Sequence, residues 1–131
     1  MPFDWREYLK TAEQLKTVGG ESNYRSGVSR AYYSAYGLCF TYAKNVNYVT
    51  AQEITNEGAK MHKFLATRLK RDVNKELRKL GHYLDTMRIN RNLADYDAKR
   101  EDFKTAAVLI STIALANQLT VELKSYKDSQ S

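Results

Sequence analysis

The sequence predicts an all-α protein, an antiparallel bundle of about five helices, from three observations. Proline occurs only at position 2, so no later segment is prevented from forming helix by a proline ring. The chain has 131 residues, 43% apolar and 27% charged, which suits one globular domain. Apolar residues also recur at helical steps of three and four. The clearest such stripe is Tyr24, Val28, Ala31, Ala35, Leu38 and Tyr42.

The first two helices have recognisable boundaries. Asp4 followed by Glu7 matches a capping box, which predicts a helix beginning at Asp4. The glycine pair at 19–20 ends it. Ser22 or Asn23 is expected to cap the second helix, which carries the stripe above.

The middle of the chain combines a connection with a long amphipathic segment. Thr50 and Glu53 match a second capping box, which predicts one short turn of helix in the connection. A third helix is predicted after Gly58, with an apolar stripe from Met61 to Leu80, and Gly81 is expected to mark a break or bend.

Two more helices complete the predicted bundle. One runs to about residue 94 and the other covers about 100–124, with Asp97 available as a cap between them. We expect one helical domain over residues 1–124 and a polar, disordered tail over 125–131. The uncharged run from Thr105 to Val121 contains polar residues and is too short for a bilayer span, so it predicts a buried bundle helix.

Two further features bear on the compartment. The first residues lack a basic start followed by an apolar core, so no secretory signal is expected. Cys39 is the one cysteine, which fits a reducing compartment. A cytoplasmic location is the expectation.

The formal charge of +6 is concentrated in one segment. Residues 60–79 hold eight Lys or Arg against two acidic residues, so the rest of the chain is neutral overall. Such a segment is either a solvated helix face or a surface for a polyanion, and the shortage of acidic residues favours the polyanion. The candidate contacts with phosphate are Lys63, Arg68, Lys70, Arg71, Lys75 and Arg88.

Several enzyme classes lack their usual residues. The two histidines, His62 and His82, lie twenty positions apart and Cys39 has no partner, so zinc spacing is absent. Neither a glycine-rich phosphate loop nor a Gly-x-Ser-x-Gly elbow occurs. We expect no metal and no cofactor. His62 is interpreted as a capping or interface residue.

Arg91 is the most informative single residue. Leu80, Leu84, Met87 and Ala94 form one apolar stripe, and Arg91 stands in its middle. A guanidinium there is costly unless it is paired. One interpretation is a structural ion pair with Asp95; the other is an arginine that grips phosphate in a cleft or dimer interface. Arg88 and Asn92 would join such a cluster.

Two segments resemble the HEPN superfamily, the nucleotide-binding domain named for higher eukaryotes and prokaryotes. They are the segment at 29–36, Ser-Arg-Ala-Tyr-Tyr-Ser-Ala-Tyr, and the segment at 91–97, Arg-Asn-Leu-Ala-Asp-Tyr-Asp. The resemblance covers roughly residues 24–123, including His62-Lys63 at the start of the third helix. It implies a helical bundle that dimerises and belongs to a prokaryotic toxin–antitoxin or defence system, commonly beside a minimal nucleotidyltransferase.

The resemblance also implies site residues. Many relatives are metal-independent endoribonucleases whose motif is Arg, a polar residue, three residues and His. Arg91 and Asn92 match its start, and Tyr96 stands in the place of the histidine. Tyrosine is a poor base at neutral pH, so the departure predicts impaired or absent nuclease chemistry. Tyr96 is also the nearest counterpart of a tyrosine that a partner nucleotidyltransferase modifies in some relatives.

Three functions follow from these residues. The leading hypothesis is a HEPN-like protein that binds RNA or a nucleotide through Arg88, Arg91, Asn92 and the basic third helix. The enzyme alternative is an endoribonuclease in which Arg91 holds the phosphate and Tyr96 replaces histidine. The third is a non-catalytic adaptor for a nucleotidyltransferase. Tyr32, Tyr33 and Tyr36 resemble a base-stacking surface, but are expected to fill space between helices.

Overall fold

The computed structural model describes residues 2–130, and these are helical with no strand. Five helices have ten or more residues, and a seven-residue helix and one 3-10 turn lie between the second and third of them. The elements are α1 (Arg6–Val18), α2 (Glu21–Asn45), α3 (Ala51–Glu57), the 3-10 turn (Gly58–Lys60), α4 (Met61–Lys70), α5 (Lys75–Tyr96) and α6 (Ala107–Ser129). The predicted all-α bundle is confirmed.

Helix α2 is the centre of the bundle. Trp5, just before α1, lies against Gly37, and Arg30 lies over the ring of Tyr8, so α1 runs antiparallel to α2. Helix α6 runs parallel to α2, because Leu109 packs on Gly27 while Tyr126 contacts Tyr42 at the other end. The bundle is therefore antiparallel between sequence neighbours and parallel between α2 and α6.

The helix starts only partly follow the predicted caps. The Thr50 box is confirmed: its hydroxyl accepts from the Glu53 N–H, and the Glu53 carboxylate accepts from the Thr50 N–H. The Asp4 box is wrong, because α1 begins at Arg6 and the Asp4 carboxylate accepts instead from the Arg6 backbone and guanidinium. Helix α2 begins at Glu21 with Gly20 at the cap position.

The predicted third helix is interrupted at 71–74, and Gly81 is not a break. Asp72 accepts from the Asn74 N–H, and Asn74 caps α5 by accepting from the Leu77 N–H. These short polar side chains compete with the helix for backbone partners. Gly81 lies inside α5 where the helix crosses α4; a Cβ there would lie 2.5 Å from the Lys70 nitrogen.

The segment from 97 to 106 is irregular, so α6 begins later than predicted. Arg25 fixes this segment by donating to the carbonyls of Ala94, Asp97 and Arg100 at 3.0, 2.9 and 3.1 Å. Phe103 is buried beneath the Arg25 guanidinium. The predicted disordered tail is also different: α6 continues to Ser129.

Helix α4 lies against α5 with the opposite direction. Lys70 at its end pairs with Asp85, while His62 at its start lies near Arg88 and Arg91. Among the described helices, none is sufficiently long and apolar to span a membrane.

Candidate anion-binding groove

A groove of about 990 Å³ lies over α4 and the second half of α5. One wall comes from α5, a second from the outer face of α4, and the ends from Tyr48, α3 and the 71–73 junction. Its cationic lining residues are Lys60, Lys63, Arg68, Arg71, Arg88 and Arg91, and its acidic ones are Glu57 and Asp72. The groove therefore carries a net positive charge, and we name it the basic groove.

The α5 wall consists of Arg88, Arg91 and Asn92. Steps of three and four residues place these side chains on one side of the helix. The predicted polar cluster therefore does line one cavity. The Asn92 amide makes no hydrogen bond with any described residue.

The ion-pair interpretation of Arg91 is confirmed only in part. Its side chain is 13% exposed, and Nη1 lies 3.7 Å from the Asp95 carboxylate, too far for a hydrogen bond. The guanidinium lies over the rings of Tyr32 and Tyr33, 5.4 Å from each centroid. Its Nε is buried and has no hydrogen-bond partner among residues 2–130. The Asp95 pair thus exists, but it leaves the donors of Arg91 unused.

The donors of Arg88, unlike those of Arg91, are used in hydrogen bonds. Its Nε and Nη2 both donate to the same Asp85 oxygen, at 3.0 and 2.9 Å. Lys70 donates to the other Asp85 oxygen at 2.8 Å. Asp85 is therefore shared between two cations, which lower its pKa against the opposing effect of burial.

Helix α4 and the residues directly before and after it supply the cations that remain available. Lys60, Lys63 and Arg71 line the groove and have no ion-pair partner in the described part of the chain. Arg68 is different, because its guanidinium is hydrogen-bonded to the Glu53 carboxylate and to the Tyr48 carbonyl. That contact lowers the pKa of Glu53 to about 2.

His62 also lines the groove, which the sequence did not indicate. Its Nδ1 lies 2.7 Å from the Tyr32 hydroxyl, and its ring stacks on Tyr36 with centroids 3.9 Å apart. Burial, then the charges of Arg91 and Arg88, lower its pKa to about 4. The imidazole is therefore neutral at pH 7 and lies beside the two arginines.

The tyrosines of α2 form the floor beneath these groups. Tyr32 is fully buried, whereas Tyr33 and Tyr36 are partly buried. The expectation that they fill space between helices is confirmed for Tyr32. Burial raises the pKa of Tyr36 to about 12, so its hydroxyl keeps its proton at neutral pH.

Three predicted site residues lie elsewhere. Tyr96 is 78% exposed and does not line the groove. It follows Arg91 by five residues, which turns it about 140° around α5. Lys70 is held by Asp85 between α4 and α5, and Lys75 stands exposed at the start of α5. Among the described residues, no group of His, Cys, Asp and Glu could hold a metal ion.

Comparison with known proteins gave no match, whether against family models, curated proteins or solved structures.

Proposed function

We propose that this protein binds RNA or a nucleotide through phosphate in the basic groove, without nuclease chemistry of its own. The observation that carries the proposal is Arg91, whose guanidinium lines the groove while none of its N–H donors is hydrogen-bonded to a described residue. Guanidinium groups recognise phosphate through paired N–H donors. The Nη donors of Arg91 are unused, whereas its Nε is enclosed by the protein.

The charge of the groove supports the same ligand class. Lys60, Lys63 and Arg71, on α4 and directly beside its two ends, offer unpaired charges to the same cavity as Arg91. Contacts of this kind attract a phosphate backbone and release its counterions, so the affinity would fall as salt is added.

The position of Tyr96 supports binding rather than cleavage. An endoribonuclease using Arg91 and Tyr96 needs both side chains at one phosphate, and Tyr96 lies outside the groove with most of its surface exposed. The HEPN resemblance adds the expected setting: a homodimer in a prokaryotic toxin–antitoxin or defence module, in the cytoplasm, with a nucleotidyltransferase as a possible partner.

The test measures binding of a fluorescent single-stranded RNA pool in EDTA, with AMP and ATP as competitors. We expect binding that weakens with salt, and an affinity at least tenfold lower for Arg91→Gln. Arg30→Gln is the charge-matched control, because Arg30 is exposed on α2 and lies over Tyr8. Its effect should stay within twofold.

Three results would contradict the proposal. Absence of RNA and nucleotide binding at low salt, together with tight binding to a nucleotidyltransferase, would favour the adaptor. RNA cleavage in EDTA that Arg91→Ala abolishes would favour the endoribonuclease. Unchanged binding by Arg91→Gln would exclude the groove as the site.

A further inference from the structure

The hydrogen bond between Tyr32 and His62 has a defined direction. Tyr32 is fully buried, and its hydroxyl has His62 as its one hydrogen-bond partner among the described residues. A buried hydroxyl proton needs an acceptor, and Nδ1 is the acceptor within reach. Tyr32 therefore donates to His62, and Nδ1 carries no proton.

This direction fixes the tautomer of the imidazole. A neutral histidine carries its proton on one nitrogen, so Nε2 is the protonated one. Nδ1 is occupied by the buried hydroxyl and His62 lines the groove, so Nε2 is the ring nitrogen left for a ligand. Stacking on Tyr36 holds the ring plane.

Burial, together with the surrounding charges, keeps the ring neutral. Helix α2 contributes the rings of Tyr32, Tyr33 and Tyr36, all within 6 Å of the His62 centroid. Helix α5 contributes Arg88 and Arg91, whose positive charges oppose protonation of His62.

Six further charged residues line the groove, four of them positive: Glu57, Lys60, Lys63, Arg68, Arg71 and Asp72. At neutral pH the ring is therefore an uncharged donor among cations.

We propose that His62 donates through Nε2–H to an oxygen of the phosphate that Arg91 holds, and that Tyr32 is the positioning residue that makes this donor available. This inference rests on the proposed function and adds a specificity residue to the same groove. With Nε2 protonated, His62 cannot take a proton from a 2′-hydroxyl, so its role is recognition.

Two substitutions of His62 distinguish the loss of a hydrogen-bond donor from the loss of side-chain volume. His62→Ala should weaken binding of single-stranded RNA about tenfold at pH 7.5, since it removes a donor to a charged oxygen. His62→Gln retains an N–H donor and should recover most of that loss. His82→Gln is the matched control, because His82 is the other histidine and is exposed on α5.

The tautomer is read directly by two-dimensional NMR that correlates ring protons with ring nitrogens. We expect the His62 pattern of a protonated Nε2 in the wild type and a mixture of tautomers in Tyr32→Phe, with weaker RNA binding. If Tyr32→Phe does not fold, the wild-type spectrum and the His62 variants still decide the proposal.

The outcomes distinguish this inference from the proposed function. A wild-type His62 protonated on Nδ1, or His62→Ala binding as tightly as wild type while Arg91→Gln loses affinity, would overturn the inference alone. Absence of RNA and nucleotide binding in the wild type would overturn both.

Discussion

The guanidinium of Arg91 lies over the ring of the buried Tyr32, 5.4 Å from its centroid. An aromatic face attracts a cation without using its N–H donors. Tyr32 thus helps to stabilise a largely buried charge while leaving Arg91 able to donate to a ligand. The hydroxyl of the same tyrosine is hydrogen-bonded to Nδ1 of His62, so one residue of α2 supports two neighbouring groups of the groove.

The first prediction concerns the lysines and arginines of the basic segment. Lys63→Gln and Arg71→Gln should each reduce the slope of log affinity against log salt by about 0.7 for single-stranded RNA, since each removes one phosphate contact. Lys75→Gln removes the same charge outside the groove and serves as the control. If Lys75→Gln and Lys63→Gln reduce the salt slope equally, residues 60–79 act through their net charge alone.

The second prediction concerns Gly81, where α5 meets α4. Gly81→Ala would place a methyl group 2.5 Å from the Lys70 nitrogen and 2.7 Å from Leu69 Cβ. The helices must separate, so we expect the free energy of unfolding to fall by about 1–3 kcal/mol in urea titrations. Thr86→Ala, on the exposed side of α5, should change it by less than about 0.5 kcal/mol. If Gly81→Ala leaves the free energy of unfolding unchanged, α4 and α5 are packed less closely than the structure has them.

Local features of the fold could be predicted from the sequence, whereas features that depend on contacts between helices could not. Helical periodicity identified the long helices, and the Thr50 box identified a cap, because both depend on residues a few positions apart. A glycine in a helical pattern permits either a break or a close approach, and only the position of α4 decides for Gly81.

The residues of the groove also divide into those placed by one helix and those placed by contacts between helices. Arg88, Arg91 and Asn92 share a wall because they share a helix face, which the spacing predicts. His62 could not be found this way, since its partner Tyr32 is thirty residues away on α2. The position of Tyr96 was available from the sequence, because five helical residues turn it away from Arg91.

The third prediction concerns Arg25, which organises the chain after α5. Arg25→Ala leaves the carbonyls of Ala94, Asp97 and Arg100 without their donor, and we expect a loss of about 2–3 kcal/mol in the free energy of unfolding. Arg25→Lys should recover little, because an ammonium lacks the planar fork. Urea denaturation of both variants measures this; full stability in Arg25→Lys would contradict the geometry.

The fourth prediction concerns pH and the Glu53–Arg68 contact. The pKa of Glu53 is lowered from 4.5 to about 2, chiefly by its hydrogen bond from Arg68. A carboxyl whose pKa is lower in the folded state stabilises the protein above the unfolded pKa, and the effect disappears as pH falls. Relative to Glu53→Gln, the wild type should therefore lose its advantage in thermal unfolding between about pH 4.5 and 2. A difference independent of pH over this range would contradict the contact.

The most direct measurement follows the Nε–H signal of Arg91 by ¹⁵N NMR while a short single-stranded RNA is added. In the free protein this N–H has no hydrogen-bond partner among the described residues. Binding of a phosphate to the Nη groups of Arg91 predicts a shift of its Nε–H signal, with the Arg30 signal unchanged. RNA binding that leaves the Arg91 signal in place would contradict the assignment of the groove.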